Sequence, residues 1–149
     1  MNIRETILNF TQELREHEIE FRLNEEDNSA VMVEPDAIGP YENGRVIMVI
    51  SGLPREEEDG YMCFEFLTSI AKNIPVDKYG NLLVKLNELN TREMLGCYGL
   101  FDDSGVLFHR YTLLVSESAE RPEYFMAEAM GLLLDRIDKD FMELFTALE

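Results

Sequence analysis

The sequence predicts an α+β fold: a helix, a block of antiparallel strands, a second helix, a β-hairpin and a long C-terminal helix, the helices layered on one sheet. Three observations carry this. Apolar residues recur at helical spacing at both ends of the chain and alternate in between. The stretches between most strand candidates are hairpin-length, which excludes a doubly wound parallel sheet with its longer crossovers. The last amphipathic run is about 27 residues, about 40 Å of helix, so it must lie across a sheet or project as an arm.

Ile3, Ile7, Phe10 and Leu14 form one stripe of a helix over Asn2 to His17, with Glu5, Gln12, Glu13 and Glu16 opposite. Ile19, Phe21 and Leu23 alternate with Glu20 and Arg22 as a half-buried strand does, and Glu25 to Asn28 is a polar turn. Val31 and Val33 lie on a second short strand. Pro35 to Asn43 reads as a loop, and Arg45 to Ser51 as a central strand. After the charged loop Arg55 to Gly60, the stretch Tyr61 to Lys72 fits two periods. As a strand it aligns Met62, Phe64, Phe66 and Ile70; as a helix, Cys63, Phe66, Leu67, Ile70 and Ile74. Its aromatics and Thr68 favour the strand.

Asn81 is the expected cap of a helix ending near Asn90, with Leu82, Leu83, Leu86 and Leu89 on an apolar face. Leu95 to Phe101 and Val106 to Val115 are strands joined by Asp102-Asp103-Ser104-Gly105, whose aspartates and glycine suit a tight turn. Pro122 and Glu123 open the final helix, whose stripe is Met126, Met130, Leu133, Ile137, Phe141, Leu144 and Leu148.

The 149 residues fit one domain, residues 1–149, and 46% hydrophobic residues suffice for a core. A formal charge of -17 keeps such a chain in solution, repels phosphate backbones and attracts basic partners, so nucleic acid and anionic membrane are not expected ligands. No uninterrupted apolar span or signal-peptide pattern occurs; membrane insertion is not expected, and the expected location is the cytoplasm. Cys63 and Cys97 form no CxxC and are expected to be buried thiols.

The run Leu82-Leu83-Val84-Lys85-Leu86-Asn87-Glu88-Leu89-Asn90, then Leu95-Gly96, then Leu100-Phe101-Asp102-Asp103-Ser104-Gly105, resembles the YbjN-like family, relatives of type III secretion chaperones. Asn87 and Asn90 match the paired asparagines of that pattern, and Gly96 and Gly105 its glycines. The residue-level likeness covers Leu82 to Val115; element order extends it along nearly the whole chain. The resemblance implies a secretion-chaperone-like sheet-and-helix layer, often dimeric, that holds or regulates another protein and has no catalytic apparatus. The acidic loop at Arg55 to Asp59 departs from the compact secretion chaperones and favours the broader YbjN-like group.

Candidate chemical sites fare poorly. Asp102 and Asp103 are explained by the turn before a metal is needed. His17-Glu18 opens no HExxH because Phe21 stands at the second histidine position. His109 has no histidine nearby in sequence, so a structural or surface role is expected. Gly39-Pro40-Tyr41-Glu42-Asn43-Gly44 lacks the spacing and lysine of a phosphate loop. Asn87 and Asn90 read as residues suited to a left-handed helix cap. Met62, Met94, Met126, Met130 and Met142 are adaptable fillers of a core or groove.

The expected function is therefore non-catalytic protein binding by a chaperone-like or regulatory adaptor that takes a basic or amphipathic client, with no cofactor. A sheet face, a strand edge or a helical groove could receive the client. The wide apolar face of Leu82, Leu83, Leu86 and Leu89, or the far sheet face, is the expected contact with a second copy in a homodimer. The rival reading is a small-ligand sensor or an enzyme with a pocket between the sheet and the C-terminal helix.

Overall fold

The computed structural model describes residues 1–35 and 46–149. Helix α1 (Ile3–Glu16) is followed by β1 (Phe21–Leu23), β2 (Ala30–Val33), β3 (Ile47–Leu53) and β4 (Tyr61–Ala71). A 3-10 turn (Val76–Lys78) leads into α2 (Tyr79–Arg92), then β5 (Cys97–Phe101), β6 (Val106–Ser116) and α3 (Pro122–Leu148). The strands form one antiparallel sheet in the order β1-β2-β3-β4-β6-β5. The α+β fold follows the sequence reading, and Tyr61 to Ala71 is a strand. The expected loop over Pro35 to Asn43, the Gly39-Pro40 turn and the strand start at Arg45 fall on residues 36–45, outside those described; β3 begins at Ile47.

Local chemistry sets the element ends. The Asn2 carboxamide accepts from Glu5 N–H at 2.9 Å while the Glu5 carboxylate accepts from Asn2 N–H at 3.2 Å, a reciprocal cap for α1. Asn81 is not the cap of α2. The chain turns earlier, at Pro75, where Lys78 N–H already bonds the Pro75 carbonyl at 2.9 Å, and Asn81 sits exposed within the first helical turn. Gly105, at φ +66, closes the β5–β6 hairpin, its N–H on the Phe101 carbonyl at 2.8 Å.

All three helices lie on one face of the sheet. Strand alternation turns Val31, Val33, Met48, Ile50, Phe64, Phe66 and Val115 toward them. Helix α1 seats Ile7, Phe10 and Leu14 on this first core, and α3 adds Met126, Met130 and Leu133. A second core joins Leu82, Leu86 and Leu89 of α2, Tyr98 of β5, Leu107 of β6, and Ile137, Phe141 and Leu144 of α3. Helix α3 thus runs through both cores, flanked by α1 along its first half and by α2 along its second. Among the described residues no helix is long and apolar enough to cross a membrane.

Candidate functional site

Helix α1 lies over β1 to β3 and α2 over β5, and α3 is the helix packed along β6. Beside the first half of α3, on the side away from α1, the sheet is left partly bare. Tyr111 and Leu113 of β6 form the floor there, Phe125, Ala129 and Leu132 of α3 one wall, and Leu95, between α2 and β5, the far end. The groove measures about 170 Å³. Its wall is a second apolar stripe of α3, offset from the stripe in the cores: Phe125 is 56% and Leu132 50% exposed. Side chains of this size left half in water on a folded surface are what partner surfaces offer.

The one charged residue lining the groove is Glu128. From Pro122 to Asp135 the helix has no cation, and the nearby Arg136 is tied up in ion pairs with Glu93 and Asp140. The groove is therefore apolar on floor and wall with a single carboxylate, Glu128, in its lining, inside a chain already at -17.

A buried polar chain anchors the far end of the groove. The His109 ring, 1% exposed, bonds the Leu95 carbonyl through Nε2 at 3.1 Å. The Tyr98 ring meets it edge-on, centroids 4.8 Å apart, and Tyr98 O–H donates to Asp140 Oδ2 at 2.7 Å. Asp140 in turn holds Arg136 Nε at 2.6 Å, and Arg136 pairs with Glu93, two residues before Leu95. Burial, reinforced by the bond to Asp140, raises the Tyr98 phenol far above its ordinary range, so it stays protonated. Burial lowers His109 from its ordinary 6.5, with the bond to Leu95 and the Asp140 charge opposing, so the imidazole is neutral at neutral pH. The Asp140 carboxylate is committed to Tyr98 and Arg136, and none of these residues lines the groove. What the arrangement does is join β5, β6, α3 and the α2–β5 link, and so fix Leu95.

The structure relocates several residues singled out from sequence. Leu82, Leu86 and Leu89 are buried at 0%, 3% and 0%, and only Leu83, with Val84, faces water. Helix α2 is wedged against both β5 and α3, which consumes the wide face expected to meet a second copy. Asn90 is no left-handed cap. Its amide donates to the Tyr98 carbonyl at 3.0 Å and accepts the Tyr98 N–H at 2.7 Å, which occupies the outer edge of β5 as a neighbouring strand would. Asn87 is exposed, and Asp102 and Asp103 lie on the exposed hairpin turn. Cys63 is buried as expected; Cys97 is exposed, because its side of β5 faces away from the helices. Met126 and Met130 fill the first core, whereas Met94 and Met142 are exposed. The groove lies where the rival reading put a pocket, between the sheet and the C-terminal helix, but its lining residues are not among the candidate site residues singled out from sequence. Its signal was Phe125 and Leu132, seven residues apart and off the main stripe of α3.

No family model matches this sequence, and no curated protein matches it. Among solved structures, YbjN from E. coli, described as a candidate transcription regulator, aligns with a TM-score of 0.52 at 16% identity, over 91% of this chain and 90% of that one. The fold is YbjN-like. At that identity the likeness is one of architecture, and in this YbjN-like chain the groove between α3 and β6 has to be argued from its own residues.

Proposed function

We propose that this YbjN-like chain is a non-catalytic protein-binding module, a regulatory or chaperone-like adaptor, that holds a basic amphipathic segment of a client in the groove between α3 and β6. The observation that carries this reading is the groove's composition: half-exposed Phe125 and Leu132 over Tyr111 and Leu113, with Glu128 and no cation. Apolar anchors of an amphipathic helix fill such a trough, and lysines or arginines on its flanks meet Glu128 and the anionic field of the chain. The alternative of strand addition is weaker, because Asn90 blocks the edge of β5 at Tyr98 and β1 at the other edge is three residues long. The buried pair Tyr98 and Asp140 is the feature that would favour an enzyme or sensor, yet its polar atoms bond one another at the floor of the second core.

The test is calorimetric titration with a synthetic amphipathic leucine–lysine helix and its leucine–glutamate counterpart. The basic peptide binds, more weakly as salt rises, and the acidic one does not. Leu132→Asp removes a side chain whose burial is worth about 1.5–3 kcal/mol, so affinity falls by about tenfold or more. Equal binding of both peptides, or an unchanged affinity in the Leu132 variant, refutes the assignment.

A further inference from the structure

Phe125, Ala129 and Leu132 stand at i, i+4 and i+7 of α3, one row of side chains about 10 Å long. Phe125 and Leu132 rise as two half-exposed knobs, and Ala129 between them has only a methyl group. The dip at Ala129 is the open part of the groove, with Tyr111 and Leu113 of β6 as its floor. Glu128, next to Ala129 in the chain, lines the same space; it is exposed and holds no ion pair among the described residues. At about 170 Å³ the groove is too small for a row of anchors. An apolar cavity of about 150 Å³ takes one benzene ring, so one large side chain fills this one. Other apolar residues of a client, a turn away on either side, meet Phe125 or Leu132 from outside and stay partly in water.

We infer that the groove recognises a single aromatic anchor with a lysine or arginine one helical turn from it; this rests on the reading of the chain as a binder of basic amphipathic segments. The rings of Phe125 and Tyr111 both line the space. An entering ring gains edge or offset contacts with them that a leucine cannot make, worth about twofold to tenfold in affinity. The cation is placed by helix geometry. On the client, residues three or four from the anchor have Cβ atoms about 5–6 Å from it and share its face, within reach of the Glu128 carboxylate. Residues two away are turned by about 200° and point into water, where only the general field of the chain acts on them. One anchor and one cation make a short motif, so segments that differ everywhere else remain ligands. That is the breadth a chaperone-like or regulatory adaptor needs.

The chain has no tryptophan, so a tryptophan placed in a peptide is the sole indole in the mixture. Two alanine-rich helical peptides of identical composition carry one tryptophan each, with lysines four residues to either side in the first and two residues to either side in the second. Titrated with the full chain, the first shows blue-shifted indole emission and binds about threefold to fivefold more tightly than the second. Glu128→Gln, at an exposed position, abolishes that difference. Alanine in place of the tryptophan weakens binding by about tenfold or more, and so does Ala129→Leu, which fills the dip, with far-ultraviolet circular dichroism unchanged. If the leucine–lysine helix binds but the two tryptophan peptides bind alike, or their difference survives Glu128→Gln, the inference is overturned while the chain remains a binder of basic segments. If no peptide binds, the leucine–lysine helix included, the inference and the reading beneath it fall together.

Discussion

Asn90→Ala removes the only two bonds by which a side chain occupies the edge of β5 at Tyr98, the 3.0 Å donation and the 2.7 Å acceptance. Each bond is worth about 0.5–1.5 kcal/mol net, and the freed Tyr98 backbone groups sit at a partly buried edge where water restores them incompletely. The expected loss is about 2 kcal/mol, or about 4–8 °C in Tm for a chain of this length. Alanine is also the better helix former by about half a kcal/mol, which works against the loss. Asn87→Ala, on the exposed side of the same helix, reads that gain alone. Urea unfolding followed by circular dichroism, with the slope of the transition unchanged, gives both numbers. If the two variants move together, within about 0.5 kcal/mol of each other, the Asn90 amide contributes nothing at the sheet edge and the reasoning is wrong. The Asn90 variant alone should also aggregate faster near its midpoint, since an unpaired edge is then open to another chain.

Two further outcomes follow from the residues around Leu95. His109 is neutral and buried when folded and titrates near 6.5 when unfolded, so below that pH the unfolded chain binds more protons and stability falls as pH falls. The loss is at most about 1.4 kcal/mol per pH unit; His109→Gln removes it, and the stability gap between wild type and variant narrows from about pH 7.5 to about pH 5 in urea titrations. A gap independent of pH contradicts the burial argument. Gly96 has φ +71, and a methyl group on it would stand 2.3 Å from the Arg110 carbonyl oxygen and 2.8 Å from His109 Cε1. Gly96→Ala therefore costs about 2–4 kcal/mol, visible as a Tm drop in a thermal scan; an unaltered Tm would show that the link between α2 and β5 yields more easily than its geometry implies.

Much of the fold was readable because periodicity is a local property. The stripe from Ile3 to Leu14 and that from Met126 to Leu144 each specify a helix without reference to anything distant. Tyr61 to Ala71 fits both periods, and its aromatics and Thr68 decide for the strand; the outward Cys63 and Leu67 explain why the helical period fits as well, since an uncovered face tolerates apolar residues too. The site was less readable because it depends on what lies over what. Leu82, Leu86 and Leu89 look like a contact surface until α2 is known to be wedged between β5 and α3. The bond between Tyr98 and Asp140 spans 42 positions, and neither residue has a local pattern that announces it. The groove exists where neither α1 nor α2 contributes to the lining over Tyr111 and Leu113, and periodicity carries no information about where two helices fail to meet. Asn90 was recognised as special, but its short amide satisfies a helix end or a strand edge equally well, and only the neighbouring strand decides.

Helix α3 follows every strand in the chain and supplies one wall of both hydrophobic cores. Until it has been made and has docked, the inner surface of the sheet has at most two of its three covers, and Phe64, Phe66 and Leu107 stand in water or against whatever else is near. The period of greatest vulnerability for this molecule is thus its own synthesis, when sticky strands wait for their lid. Once seated, the same helix couples the two halves, so that heat or denaturant loosening one core loosens the other and the protein melts as a unit.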